Sequence, residues 1–184
     1  MRLLAFAASL KRESFNRKLI NLAVELARAA QVEVDLADFR EFDMPLYDAD
    51  LQNSAGFPEG ARELARRIEA VGGLMIASPE YNYSLPGTLK NAIDWVSRMK
   101  PMPLRGKHGV LLAASTSLVG GSRGLWALRV PLEGLGVMLL PDMFALAQAP
   151  QAFDEHGKLK DPELQERQRK LVHGYLDMGI KLTG

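Results

Sequence analysis

Short runs of apolar residues alternate with longer segments of helical periodicity along this chain of 184 residues. A strand that is covered on both faces must be apolar along its whole length, whereas a helix that covers it needs only one apolar face. Gly73–Ala77 (GLMIA) and Gly109–Ala114 have the first pattern. The alternation therefore predicts an α/β fold, a three-layer sandwich in which a parallel sheet lies between two layers of helices.

The continuous apolar runs and the segments of helical periodicity also indicate where the individual strands and helices lie. Strands are predicted at Arg2–Ala8, Val32–Ala37, Gly73–Ala77, Gly109–Ala114 and Val137–Leu140, with an extension through Phe144–Leu146 left open. Helices are predicted at Phe15–Ala30, Ala61–Val71, Pro86–Val96, Leu125–Leu132 and Pro162–Lys181. Val32–Ala37 alternates apolar and acidic residues and is expected near a sheet edge. No repeat or composition break is visible, so residues 1–184 are expected to form one domain.

The composition excludes several kinds of site and partner. There is no cysteine, which rules out disulfides, thiol catalysis and thiolate metal sites. The histidines, His108, His156 and His173, do not lie at metal-ligand spacing, so no metal site is predicted. The formal net charge is only +1, and we therefore expect neither nucleic acid nor an anionic membrane as a partner.

The amino-terminal stretch MRLLAFAASLKRES has some features of a signal peptide. Its apolar run is short for that role, and Lys11 and Arg12 follow at once, so a first strand is the preferred interpretation. No segment approaches the ~20 apolar residues that a membrane-spanning helix needs. A cytoplasmic protein is expected.

Polar loops follow the first, third and fourth predicted strands. They are residues 9–16 (the first loop), 79–85 (the second loop) and 115–123 (the third loop). Ligands of open parallel α/β sheets bind beyond the carboxyl ends of the strands, where the strand order reverses. In a five-stranded sheet of order 2-1-3-4-5 these three loops are neighbours, so we predict that they form one site.

The first loop, within ASLKRESFN, has the chemistry of a phosphate site. Ser9 and Ser14 offer hydroxyls, Asn16 offers an amide, and Lys11 offers a positive charge ahead of a helix N-terminus, which attracts anions. Ser14 as a simple helix cap is a compatible alternative. Neither G-x-x-x-x-G-K-[ST] nor G-x-G-x-x-G is present, so a phosphate that is held rather than transferred is the simpler interpretation.

The second loop, within PEYNYSLPG, has the groups that a flat polar ring would need. Asn82 and the backbone amides can address a carbonyl and imide edge, and Tyr81 and Tyr83 supply planar apolar surface. The alternatives are core filling or a subunit contact for the tyrosines and simple solvation for Glu80. Trp95, in the following helix, is predicted to serve helix packing.

The third loop, STSLVGGSR, adds Ser115 and Thr116 as hydrogen-bonding groups, and Gly120 and Gly121 allow close backbone approach or begin the next helix. Arg123 is a candidate for an anionic partner such as a nicotinamide dinucleotide phosphate, although a solvated or intersubunit salt bridge explains it equally well. A phosphate at one end of the site and a flat ring at the other describes FMN, but the residues alone do not separate FMN from other nucleotides.

Three motifs resemble those of the NAD(P)H-dependent FMN reductase family, flavodoxin-like flavoproteins that include bacterial quinone and chromate reductases. They are P-E-Y-N-Y-S-L-P-G-T-L-K-N-A-I-D-W, A-S-L-K-R-E-S-F-N and D-M-P-L-Y-D-A-D. The resemblance runs in order over nearly the whole chain. It implies a flavodoxin-like fold, FMN as the cofactor and NADPH or NADH as the electron donor. It also implies a homodimer or homotetramer with the flavin near a subunit interface.

The resemblance further implies a role for each matching residue. The FMN phosphate would be held by Ser9, Lys11, Ser14, Phe15 and Asn16. The isoalloxazine ring would be bordered by Pro79, Glu80, Tyr81, Asn82, Tyr83 and Ser84, with Ser115 near its far side. The chain departs from the family pattern at Ala8, where Gly is usual, at Lys11, where Arg is usual, and at Ser117, where Gly is frequent.

The expected activity is a ping-pong oxidoreductase in which the flavin carries the chemistry and no side chain acts as acid, base or nucleophile. Hydride would pass from NAD(P)H through FMN to a quinone, chromate, a nitro or azo compound, or free flavin. A flavodoxin-type electron carrier is the first alternative, but such carriers are typically strongly acidic. The second is a flavin-free enzyme of the same fold that uses Glu80 as a nucleophile.

Overall fold

The computed structural model describes residues 1–183, and in them strands and helices alternate as predicted. The strands are β1 (Arg2–Ala7), β2 (Glu33–Asp38), β3 (Gly73–Ala77), β4 (His108–Ala114), β5 (Met138–Leu139) and β6 (Phe144–Leu146). The helices are α1 (Phe15–Ala29), α2 (Ala49–Ala55), α3 (Glu59–Glu69), α4 (Gly87–Val96), α5 (Ser122–Gly134), α6 (Ala149–Ala152) and α7 (Pro162–Thr183). A short 3-10 turn (Phe39–Phe42) follows β2.

The strands form a parallel sheet of order β2-β1-β3-β4-β5, which is the predicted order. Its fifth position is occupied by two short strands, because β5 and β6 both pair with β4. The order reverses between β1 and β3, which are direct neighbours. The carboxyl ends of β1, β3 and β4 therefore lie side by side.

Helices cover both faces of the sheet, because alternate residues of each inner strand point to opposite sides. Leu4 and Phe6 of β1 face a core built with residues of α3, α4 and α5. Leu3 and Ala5 face a second core, which includes residues of α1 and α7. The predicted three-layer sandwich is thus confirmed.

Several details differ from the prediction. The stretch predicted to be irregular contains α2, which begins at the cap Asp48 and has no buried residue. The helix predicted at Leu125–Leu132 is longer, since α5 begins at Ser122 and continues past Pro131 to Gly134. Pro141 and its neighbours separate β5 from β6, so the last predicted strand is split.

Among residues 1–183, no helix is long and apolar enough to cross a membrane.

Candidate functional site

The first, second and third loops meet at the carboxyl edge of the sheet. Backbone hydrogen bonds join the strand ends just before the loops: the Ala8 N–H donates to the Ala77 carbonyl at 2.8 Å, and the Ser78 N–H donates to the Leu112 carbonyl at 2.8 Å. The structure therefore brings together the three sequence segments that were predicted to form one site.

The first loop ends in a capped helix with unused donors. The Ser14 hydroxyl accepts from the Asn16 backbone N–H at 3.2 Å and caps α1. Within the described chain, the backbone N–H groups of residues 10–13 and of Phe15 donate to no protein group. Lys11 is exposed beside them, whereas Ser9 and Ser14 are buried. Free N–H groups, a helix N-terminus and a cation together suit a bound anion.

Asn16 is engaged by the sheet rather than left free for a ligand. Its side-chain Nδ2 donates to the Ala114 carbonyl at 2.9 Å, and its Oδ1 accepts from the Ala114 N–H at 2.9 Å. The side chain is almost completely buried. Asn16 therefore joins the first loop to the end of β4, where the third loop begins.

Phe15 contributes its backbone, not its ring, to the first loop. The ring stacks on Phe153, with a centroid distance of 6.1 Å, and packs against the core on the α1 and α7 side of the sheet. Only the Phe15 N–H remains available at the helix N-terminus.

The second loop is a tight two-residue hairpin. Tyr81 and Ser84 exchange two backbone hydrogen bonds of 3.0 Å, and the residues between them, Asn82 and Tyr83, have φ values of 48° and 68°. Two left-handed central residues define a type I′ turn. The turn exposes both aromatic side chains, Tyr81 by 53% and Tyr83 by 71%, which excludes core filling as their role.

Glu80 is not a solvated side chain. Only 7% of it is exposed, and its Oε1 accepts from the Arg123 Nη2 at 2.6 Å. Its Oε2 accepts from the Gly124 N–H at 3.1 Å. Burial opposes ionisation, but the hydrogen bonds from Arg123 and Gly124 outweigh it, so the pKa of Glu80 lies below its usual value. A carboxylate with both oxygens occupied is poorly placed to act as a nucleophile.

Arg123 finds its anionic partner within the same chain. Besides the contact with Glu80, its guanidinium lies 4.3 Å from the centroid of the Tyr83 ring. Arg123 thus contacts the second loop at two points, although it is 43 positions away from Glu80 in sequence.

The third loop turns sharply into α5. The Ser115 hydroxyl accepts from the Ser117 N–H at 3.2 Å and lies 3.1 Å from the Ser117 hydroxyl. Gly120 and Gly121 have φ values of 65° and 87°. A Cβ on Gly120 would lie 2.8 Å from the Ala145 carbonyl carbon, so the predicted close backbone approach is confirmed.

Two further residues near the site, Arg40 and Asn91, were not predicted from the sequence. Arg40, in the 3-10 turn after β2, donates to the Leu10 carbonyl of the first loop. Asn91 accepts from the Tyr47 N–H at 2.8 Å, and Asn91 and Trp95 donate to the Pro45 carbonyl at 2.9 and 2.8 Å. These bonds fix the segment before α2 onto α4. Trp95 is also fully buried and contacts the rings of Tyr47 and Phe57, which confirms its predicted packing role.

A cleft of about 360 Å³ lies beside the first loop. It is lined by Leu10, Phe39, Arg40, Phe42, Asp43, Met44, Thr88 and Asn91. The methyl group at Ala8, the position at which the family usually has Gly, is buried in the adjacent core.

Comparison with known proteins identifies the family. The family model described as NADPH-dependent FMN reductase matches residues 1–151. The chain belongs to this family. It is 39% identical to a quinone reductase of Escherichia coli (strain K12) over 140 residues, which are 76% of this chain and 73% of that protein. It is 36% identical to an NAD(P)H-dependent FMN reductase of Pseudomonas aeruginosa over 168 residues, 90% of this chain and 88% of that protein.

A solved flavoenzyme structure is also similar to this chain. The flavoenzyme NAD(P)H:(acceptor) oxidoreductase FerB from Paracoccus denitrificans matches with a TM-score of 0.84 and 27% identity, over 98% of this chain and 97% of that chain. Family membership makes the chain an oxidoreductase with FMN as its cofactor and NAD(P)H as its electron donor. The predicted family, flavodoxin-like fold and cofactors are therefore confirmed.

Proposed function

We propose that this FMN reductase family member is an NAD(P)H-dependent quinone reductase that binds FMN across the first, second and third loops. The observation that carries the proposal is the pairing, at one sheet edge, of a helix N-terminus with unused N–H donors and a turn with two exposed tyrosine rings. The relatives named quinone reductases supply the acceptor class.

The residues present fit the two ends of the cofactor. The phosphate would be held by the free N–H groups of the first loop, by the hydroxyls of Ser9 and Ser14, and by the Lys11 ammonium. Lys11 lacks the forked geometry of Arg but keeps the charge. Asn16 would act indirectly, because its amide already bonds the Ala114 backbone.

The ring would lie against the second loop. Pro79 and Ser84 would border it, Asn82 would offer hydrogen bonds to its polar edge, and Ser115 would lie near its far side. When bound, FMN supplies the hydride and electron-transfer chemistry, and the protein supplies orientation and electrostatics. Accordingly, we assign no side chain as a catalytic acid, base or nucleophile.

The exposed tyrosines would give NAD(P)H and the acceptor one shared surface, which the two would use in turn in a ping-pong sequence. Quinones are the proposed acceptors, and chromate, nitro and azo compounds and free flavin are further candidates. The remaining parts of the proposal are a homodimer or homotetramer and a cytoplasmic location, with which the absence of cysteine is compatible.

The first test is spectroscopic. The purified protein, loaded with FMN and freed of excess, should show flavin absorbance that bleaches when NADPH or NADH is added under anaerobic conditions. A quinone should then restore the colour, and initial velocities with both substrates varied should give parallel double-reciprocal lines. Bound flavin that neither NADPH nor NADH bleaches would instead support an electron carrier of the flavodoxin type.

A further inference from the structure

The Asn82–Tyr83 turn has an unfavoured residue at its second central position. A type I′ turn needs φ > 0 at both central residues, and Asn-Gly is the favoured pair because glycine adopts that conformation freely. This chain has Tyr at the second position, with φ 68°. A bulky residue in the left-handed region is strained, and such strain persists only when the surrounding structure holds it.

The Tyr83 side chain contacts Arg123. Its guanidinium lies 4.3 Å from the Tyr83 ring centroid, which is within cation–π distance. Tyr83 is otherwise largely exposed, so this contact is a main constraint on its ring.

Arg123 is itself held by the Glu80 carboxylate. Its Nε and Nη2 donate to Glu80 Oε1 at 2.8 and 2.6 Å, and the buried Glu80 carboxylate also accepts from the Gly124 N–H. The first turn of α5 packs closely on the same loop: a Cβ on Gly124 would lie 3.0 Å from Glu80 Cα and 3.2 Å from the Ser84 carbonyl oxygen. The arginine is therefore anchored to the base of the hairpin whose tip it contacts.

We propose that Arg123, anchored by Glu80, is a positioning residue that keeps the Asn82–Tyr83 turn left-handed in the ligand-free protein. The second loop is then already shaped for the flavin ring before the ring binds. This inference rests on the proposed placement of FMN against the second loop. A protein in which only a fraction of the molecules has the competent loop binds its ligand more weakly by that fraction.

The first experiment needs no flavin. Amide hydrogen exchange by NMR on the flavin-free protein should show the Tyr81 and Ser84 N–H groups, which bond across the hairpin, exchanging about two- to fivefold faster in Arg123→Gln, the change expected from losing an exposed cation–π contact. Arg98→Gln is the matched control, because Arg98 lies 3.7 Å over the Tyr47 ring, away from this hairpin. Unchanged exchange at Tyr81 and Ser84 in Arg123→Gln would overturn the proposal.

A rescue variant tests the strain itself. Adding Tyr83→Gly to Arg123→Gln creates the Asn-Gly pair that the turn prefers, so exchange at Tyr81 and Ser84 should slow again. If the double variant exchanges as fast as Arg123→Gln alone, left-handed strain is not what Arg123 opposes and the proposal fails. Arg123→Lys should fall between wild type and Arg123→Gln, because it keeps the charge without the planar fork.

The consequence for binding is measured with FMN and riboflavin side by side. Arg123→Gln should raise the Kd of both ligands by the same factor, at most about fivefold, because the defect lies at the ring and not at the phosphate. A loss confined to FMN would mean that Arg123 acts on the phosphate, and no loss would mean that loop shape does not limit binding; either result overturns the proposal. If the wild type binds neither flavin, the proposed function fails, and the exchange experiment still decides the role of Arg123.

Discussion

At the scale of single residues, the fold treats its buried polar groups in two different ways. Asn16 is fully used, since Ala114 takes up both ends of its amide. His108 is equally buried, with its ring centroid 5.2 Å from that of Tyr175, yet within the described chain neither of its ring nitrogens has a hydrogen-bond partner. We therefore expect His108 to make stability depend on pH, and the substitution of Asn16 to lower stability.

His108 should make stability depend on pH. Burial, assisted by the neighbouring Lys107 cation, lowers the pKa of His108 below its ordinary value of 6.5. Below pH 6.5, His108 becomes protonated in the unfolded chain but stays neutral in the folded chain. Its contribution to the free energy of unfolding is therefore fully present above pH 6.5 and is lost as the pH decreases. The slope from this one group is at most about 1.4 kcal/mol per pH unit.

Urea unfolding measured between pH 7.5 and pH 5 checks this. His108→Leu should flatten the dependence on pH, whereas the control His173→Leu, at an exposed position of α7, should keep the wild-type slope. Equal slopes in wild type and His108→Leu would contradict the assignment.

Asn16→Ala should cost about 1–3 kcal/mol of stability, because it leaves the buried Ala114 N–H and carbonyl unpaired at one edge of the site. Asn21→Ala, on the exposed face of the same helix, should cost far less. Urea unfolding measures both variants, and a similar cost for the two would show that the link to β4 does not stabilise the fold.

At the scale of elements, sequence periodicity was a good guide wherever an element buries a face. β3 is apolar throughout, β1 and β4 are apolar after their first residues, Arg2 and His108, and all three strands were predicted to within a residue or two. The helix Ala49–Ala55 was missed because it buries no residue and so has no apolar period. The helix begins after Asp48, whose side-chain carboxylate caps it by accepting a hydrogen bond from the Asp50 N–H at 2.8 Å.

The junction between the third loop and α5 depends on glycine. Gly120→Ala should destabilise the protein by at least about 2 kcal/mol, since it combines φ 65° with a Cβ 2.8 Å from the Ala145 backbone. Gly174→Ala is the opposite case: it lies inside α7 with no atom near its added Cβ, and should stabilise the protein by about 0.5–1 kcal/mol. Thermal unfolding of the two variants should shift in opposite directions, and a shared direction would refute the argument.

At the scale of the whole molecule, the sequence was sufficient for a parallel sheet covered by helices, which follows from the alternation of strands and helices, and its resemblance to flavodoxin-like proteins implied the strand order that makes the three loops neighbours. It was not sufficient for the links that shape the site. Asn16 reaches a residue 98 positions away, and Glu80 reaches one 43 positions away. Contacts of this kind depend on how the strands are arranged side by side, which no local pattern records. The resemblance implied a role at the FMN site for these residues but gave no information on their hydrogen-bond partners.

The three loops come from different parts of the chain, so a ligand that bridges them should stabilise the whole fold. FMN at about 100 times its Kd should add about 2.7 kcal/mol to the free energy of unfolding. Riboflavin at the same concentration should add less, because it cannot use the donors of the first loop. Thermal unfolding with each ligand measures the difference, and equal shifts would indicate that the first loop does not hold the phosphate.

The split last strand has a consequence for how the protein behaves in concentrated solution. A long unpaired strand at a sheet edge can recruit another chain and start ordered aggregation. Here one edge ends in strands of two and three residues, β5 and β6. The other edge, β2, carries Glu33 and Asp35 in ion pairs with Arg2 and Arg67. Among residues 1–183 neither edge offers a long apolar template, so edge-to-edge fibre growth from the folded protein is disfavoured, and aggregation on heating should begin only after unfolding.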